Sequence, residues 1–150
     1  MIIGIDPGAT KPHTFAVCSL GKVLWITKSD DIYKINDLIS SKADKVFIES
    51  QYLGVNANTL IKLAHATGEL IGLCKLHGIP YEMVYPTSWM SHFGITTRKP
   101  KELTAYKWKK KHYQDIIDEA QKHTDIKIED EDYAAALLIC LFGVNKLDNS

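Results

Sequence analysis

The sequence predicts an α/β fold, a mixed five-stranded sheet with helices on both faces. Three observations predict it. Short runs rich in β-preferring residues lead the chain, stretches with apolar residues at helical spacing follow, and turn residues separate them. Strands come first and the closing helices cover them.

Ile2–Asp6 is predicted as a central strand, apolar until its last residue. Thr14–Leu20 and Lys22–Thr27 read as strands around Gly21, so the first three strands form an antiparallel meander. Residues 31–41 carry Ile32, Ile35, Leu38 and Ile39 at helical spacing, after the candidate caps Ser29 and Asp30. Lys45–Glu49 is a second strand that ends on an acid. Asn58 through His77 reads as one long helix stopped by Gly78 and Pro80, and Tyr81–Tyr85 as the last strand. Pro86 opens a short helix with Thr87 or Ser88 as cap and Gly94 as stop. Residues 100–123 read as helical and charged, with a break allowed near Tyr113. Ile128–Val144 closes the chain as an apolar helix. With the short helix uncounted, the order is β-β-β-α-β-α-β-α-α.

At 150 residues, 45% hydrophobic and 24% charged, the chain is expected to be one domain, 1–150, with a core of its own. Its longest apolar stretch, Tyr133 to Val144, is too short to span a bilayer, and no basic leader or cleavage site precedes it. No membrane partner is expected. Cys18, Cys74 and Cys140 are far apart and in apolar surroundings, which predicts buried free thiols in a reducing compartment rather than a zinc site.

Eighteen basic and eighteen acidic residues cancel, and neutrality by itself argues against a nucleic-acid binder. Their distribution argues the other way. Between Arg98 and Lys111 stand seven Lys/Arg against Glu102, whereas from Asp115 onward nine acids face Lys122, Lys127 and Lys146. A neutral protein can still present one positive stripe.

The acids carry the chemistry. In the first strand Gly4 and Asp6 share one face, and in the fourth Phe47 and Glu49 share one. If the two strands are parallel neighbours, Asp6 and Glu49 meet at their carboxyl ends, where open α/β sheets bind ligands. Asp132 lies among four consecutive acids before the closing helix. Carboxylates gathered there need a proton or a cation, and an all-oxygen set selects Mg²⁺, with Mn²⁺ as substitute. Two such ions can activate water and stabilise the leaving oxygen of a phosphodiester. Singly, each acid has a plainer reading: Asp6-Pro7-Gly8 as a turn, Glu49 as a strand end, residues 129–132 as first-turn acids of a helix. Their joint occurrence favours a metal-dependent nuclease.

Ile3-Gly4-Ile5-Asp6-Pro7-Gly8 resembles the first motif of RuvC-type Holliday junction resolvases, members of the RNase H-like nucleases. The likeness continues from Ile48-Glu49-Ser50-Gln51-Tyr52 through Asn56-Ala57-Asn58-Thr59-Leu60 to Ala66-Thr67-Gly68. It ends in Asp132-Tyr133-Ala134-Ala135-Ala136-Leu137. It is weakest over 9–45 and 86–128. The resemblance implies an RNase H-like fold and a homodimer, joined through helix 58–77, that nicks four-way DNA junctions symmetrically with Mg²⁺. It implies Asp6, Glu49 and Asp132 as catalytic metal ligands. Ala135 stands where the family often has a fourth acid, which either leaves the second metal short of a ligand or shifts that role to Asp130 or Glu129.

The resemblance also assigns residues to branched DNA. Tyr52, with Asn56 in the same stretch, is placed to stack on or wedge between bases. Clustering of Arg98, Lys99, Lys107, Lys110 and Lys111 beside Tyr106, Trp108 and Tyr113 favours contact with the DNA backbone over a merely solvated face, and the resemblance assigns Lys99 or Lys101 to the scissile phosphate, Lys101 being the candidate catalytic lysine. The segment Trp89-Met90 lacks a lysine that many relatives have. Ala64, Gly68 and Gly72 recur every four residues, which suits either another backbone in close approach or packing on the chain's own sheet. The compartment implied is the cytoplasm of a bacterial or phage-infected cell. Two other readings stay open: a YqgF-like nuclease acting on structured RNA, and a junction-binding module without catalysis.

Overall fold

The fold, given by a computed structural model, is described for residues 1–50 and 56–150. Five strands form one sheet: β1 (Ile2–Asp6), β2 (His13–Ser19), β3 (Lys22–Ser29), β4 (Lys45–Glu49) and β5 (Tyr81–Val84). Their order is β3-β2-β1-β4-β5. β1, β2 and β3 are the antiparallel meander, while β4 runs parallel to β1 and β5 parallel to β4. This mixed sheet matches the expectation strand for strand.

Five helices cover it: α1 (Ile32–Lys42), α2 (Ala57–Leu76), α3 (Pro86–His92), α4 (Ala105–Gln121) and α5 (Glu131–Asp148). Strand alternation divides the core in two. Ile3, Ile5, Phe15, Val17, Val46 and Ile48 face the side of α1 and α2. Ala16, Cys18 and Phe47 face α5, which brings Ala134–Cys140 into the other cluster with Trp89. Helix α5 is apolar nearly all round because it lies between the sheet and α4.

Gly4 sets how close α5 comes. A Cβ there would stand 2.4 Å from the Cys140 nitrogen and 2.6 Å from the Ala136 oxygen, so helix backbone rests directly on strand backbone. Asp6 has the same parity as Gly4, and Glu49 the same as Phe47. Both acids therefore project toward the α5 side.

Helix ends depart from expectation at capping residues. Asp31 caps α1, accepting from the Tyr33 and Lys34 N–H groups, and Ser29 braces it through the Asp31 N–H. Neither Thr87 nor Ser88 caps α3; Pro86 opens it behind Tyr85, with Gly94 at φ +71° as the stop. Helix α4 begins only after Thr104, which caps it, and passes Tyr113 unbroken. Helix α5 starts at Glu131 behind the cap Asp130 and runs beyond Val144. No helix among the described residues is long and apolar enough to cross a membrane.

Candidate metal centre

The parallel register pairs Ile5 with Ile48. One residue further, Asp6 and Glu49 stand side by side at the carboxyl edge of the sheet, and the first turn of α5 closes over them. Asp6, Glu131 and Asp132 each offer a carboxylate oxygen within 4.8 Å of the others. A cavity of about 340 Å³ opens in front of Asp6 and Glu49, bounded by Lys11, Ser50, Leu63 and Pro86.

Crowding of anions shows in the electrostatics. Burial holds the Asp6 carboxyl well above the ordinary carboxylate range, and the charges of Glu49, Glu131 and Asp132 add to it, against Lys11. Burial pushes Glu49 up to about 7, opposed by its hydrogen bond from Trp89 and by Lys11. Burial and the neighbouring Asp132 carry Glu131 to about 7. Asp132 goes the other way: burial would raise it, but Lys11 and Lys28 hold it below its ordinary value. Such a set of desolvated oxygen donors fits a hard divalent cation.

Glu131 is the acid that the sequence reading missed. It precedes Ala135, where the resolvase motif often has a fourth acid, by four residues, so the two positions share a face of α5. Ala135 itself is buried in the core. Asp130 is committed elsewhere: Oδ1 accepts from the Tyr133 N–H at 2.9 Å and Oδ2 from Lys28 at 2.6 Å. Glu129 is exposed. Neither belongs to the three-acid convergence.

Lys11, Lys28 and Trp89 were not singled out from sequence either. Lys11, in the loop between β1 and β2, pairs with Asp132 Oδ1. Lys28, near the end of β3, lies 3.4 Å from Asp132 Oδ2. The buried Trp89 indole donates to Glu49 Oε2 at 2.8 Å. Lys28 lies one residue beyond the strand predicted over Lys22–Thr27 and Lys11 lies in a loop, so neither position carried a signal.

The other candidates are scattered around this centre. Asn56 caps α2, its side-chain oxygen accepting from the Thr59 N–H at 2.9 Å. Tyr52 lies outside the described residues. Arg98 and Lys101 are exposed ahead of α4, and Lys99 folds back onto the carbonyls of Pro100 and Leu103 at 3.2 and 2.9 Å. Lys107 and Lys110 are exposed on α4, whereas Lys111 pairs with Asp115 at 2.6 Å. Trp108 stacks on His112, ring centroids 4.8 Å apart, and so serves packing. At Gly68 and Gly72 an added Cβ would meet nothing within 4 Å among the described residues. Those glycines therefore do not serve close packing on the chain's own sheet.

No family model and no curated sequence matches the chain; the likeness is in the fold. That fold is the RNase H-like α/β fold of RuvC-type resolvases. Thermus thermophilus RuvC in complex with a Holliday junction substrate superposes with a TM-score of 0.71 at 12% identity, covering 99% of this chain and 96% of that one. Thermus thermophilus RuvC in a second structure gives 0.71 at 14% identity, covering 99% and 95%. The Fowlpox virus resolvase in complex with substrate Holliday junction DNA gives 0.59 at 18% identity, covering 97% of both chains.

Proposed function

We propose that this chain is a Mg²⁺-dependent, structure-selective DNA endonuclease that resolves Holliday and similar branched junctions by paired symmetric nicks. One observation carries the proposal: Asp6 and Glu49, remote in sequence from each other and from the adjacent Glu131 and Asp132, gather with that pair at the carboxyl edge of two parallel strands beside an open cavity. The structural neighbours, resolvases solved with junction DNA, favour a branched substrate.

Asp6, Glu131 and Asp132 would hold one ion, and Glu49 with Asp6 a second, Mn²⁺ serving in place of Mg²⁺. The bound ions supply charge that makes a water nucleophilic and stabilises the leaving oxygen. The chain's own residues do the rest. Trp89 holds Oε2 of Glu49 and so sets the orientation of that carboxylate. Arg98, Lys99, Lys107, Lys110 and Lys111 contact the DNA backbone, Lys101 the scissile phosphate, and Tyr52 the bases at the branch. Asn56 holds the start of α2 next to the stretch that contains Tyr52. Two copies joined through α2 present two centres to the two strands to be cut.

The test is incubation with labelled four-way, Y-shaped and linear duplexes, with and without Mg²⁺, alongside Asp6→Asn. Paired nicks in the four-way substrate, lost with Mg²⁺ removal and in Asp6→Asn, are expected. Equal cutting of linear duplex overturns branch selectivity. Tight junction binding with no Mg²⁺-dependent product would show a binding module instead, and preferential cutting of a structured RNA would show a YqgF-like nuclease.

A further inference from the structure

The acidic centre already contains two cations, and both are lysines. Lys11 pairs with Asp132 Oδ1, while Lys28 lies 3.4 Å from Asp132 Oδ2 and 2.6 Å from Asp130 Oδ2. Ammonium groups thus cover both oxygens of Asp132. Yet Asp132 is one of the three acids whose oxygens converge within 4.8 Å. A divalent cation seated there would stand beside the Lys11 ammonium, and like charges this close repel strongly where water is scarce. The two compete for one place.

The lysines are not equivalent. Lys28 belongs to β3, is anchored by Asp130, and lies 5.2 Å from the centroid of the Tyr133 ring. It keeps partners when Asp132 is taken. Lys11 sits on a loop with its side chain 52% exposed, and Asp132 is the only hydrogen-bond partner of its ammonium among the described residues. It lines the cavity before Asp6 and Glu49 and also an adjoining one of about 470 Å³ toward His65 and Glu69. Room to move lies on both sides.

We propose that Lys11 is a placeholder counter-ion, which leaves Asp132 when a divalent cation loads and then grips the phosphate presented to the centre. The inference rests on the metal-nuclease reading above. Without metal, Lys11 offsets part of the repulsion among four carboxylates and keeps the first turn of α5 against β1. With metal seated, its ammonium is expelled but tethered, a few ångströms from where an anionic phosphodiester must dock. Ammonium and phosphate are then the complementary pair left in the cavity. Lys11 thereby becomes a catalytic residue for this substrate, separate from the basic segment that begins at Arg98.

Removing the placeholder must move two quantities in opposite directions, which loss of a purely structural residue does not do. The experiment measures Mn²⁺ affinity of the full chain by calorimetry without DNA, and four-way junction cleavage at saturating Mn²⁺. Wild type, Lys11→Met, Lys11→Arg and Asp6→Asn are compared, with melting curves confirming that each is folded. Lys11→Met is expected to bind Mn²⁺ roughly tenfold tighter, the order set by removing one competing charge-assisted bond. It is expected to cleave roughly a hundredfold slower. Lys11→Arg keeps the competing charge and should bind Mn²⁺ close to the wild-type value. Unchanged or weaker Mn²⁺ binding by Lys11→Met overturns the placeholder role, and undiminished cleavage overturns the phosphate role. If Asp6→Asn binds Mn²⁺ like wild type, the metal-nuclease reading itself fails, a result distinct from either. Should Lys11→Met prove unfolded, Lys11→Gln takes its place with the same expectations.

Discussion

The indole nitrogen of Trp89 donates a 2.8 Å hydrogen bond to Oε2 of Glu49. Trp89 is buried in the core beside α5, and α3, which carries it, starts at Pro86 on the rim of the cavity. The rotamer of the Glu49 carboxylate is thus set from the hydrophobic core. Trp89→Phe keeps an aromatic ring but deletes the N–H, and a hydrogen bond to a charged group contributes about 1.5–3 kcal/mol. Mn²⁺ affinity should fall roughly tenfold, beyond any loss of thermal stability from the smaller ring. Calorimetry on the folded fraction checks this; unchanged affinity would mean that Trp89 serves packing alone.

Metal-free stability should fall as pH rises. Glu49 and Glu131 titrate at about 7 in the folded protein against an ordinary 4.5. Between those values the native state binds more protons than the unfolded chain, so the stability these groups lend is present below about 4.5 and gone above about 7. His13 and His112, held below their ordinary 6.5 by burial, act in the opposite sense over part of the window. The difference between wild type and Glu49→Gln isolates the carboxyl. In urea unfolding with chelator, wild type should lose stability relative to Glu49→Gln between pH 5 and 7, on the order of a few kcal/mol. A flat difference would show that Glu49 is ionised throughout. Mg²⁺ should reverse the loss above pH 7, because it favours the ionised ligands.

Gly4→Ala tests whether the spacing of β1 and α5 builds the centre. The added methyl would meet helix backbone at Cys140 and Ala136, with no flexible side chain to give way. Strand and helix must separate, and overpacking of this kind costs about 1–3 kcal/mol or more. Since β1 ends on Asp6 and α5 begins with Glu131 and Asp132, the same shift should weaken Mn²⁺ binding. Urea unfolding and calorimetry read the two effects. A stable variant with wild-type affinity would show that this close approach does not position the acids.

What the sequence made legible follows from period-two alternation. Asp6 and Glu49 close strands whose apolar parity is plain, so their shared edge and shared face were readable before any coordinates. Asp132 was set apart from its acidic neighbours by the resemblance of Asp132-Tyr133-Ala134-Ala135-Ala136-Leu137 to the last motif of the resolvases. Glu131 was hidden among consecutive acids, where which one turns inward depends on where α5 starts, and the helix starts at residue 131 rather than 128. Trp89 and Lys11 were hidden for a different reason: one bonds across the core and the other reaches back from a loop, and neither relation leaves a local pattern. Residues 100–104 were read as the start of the helix, but Pro100 and the Thr104 cap delay α4 to Ala105.

The exposed lysines of α4 should act through salt-dependent binding to phosphates. Lys107 and Lys110 have no ion-pair partner among the described residues, whereas Lys111 is paired with Asp115. Each phosphate that a lysine no longer neutralises lowers the slope of log affinity against log salt by about 0.9. Lys107→Ala and Lys110→Ala should each flatten that slope for a four-way junction, measured by fluorescence anisotropy, and Lys111→Ala should flatten it less. Slopes unchanged from wild type in all three would remove α4 from the DNA path.

Helix α2 offers the last test, because its small residues face open space. Among the described residues nothing lies within 4 Å of a Cβ built at Gly68 or Gly72, and along the same helix Ile61 and Leu76 are 53% and 73% exposed. A glycine inside a helix costs about 1 kcal/mol relative to alanine, so two of them on an open face are a standing loss unless another backbone approaches. A second copy packed about a two-fold axis would provide that approach and bring a second acidic centre to the junction. Gly72→Arg places a long charged side chain into the gap without touching the chain's own core. The isolated chain should stay as stable as before or gain slightly from helix propensity, while the two-chain species should be lost. Light scattering after size exclusion should give twice the chain mass for wild type and one chain mass for Gly72→Arg. Junction products should change in parallel, from paired nicks to independent single nicks. If both proteins run at the same mass and cut alike, α2 is not the interface and its glycines need another explanation.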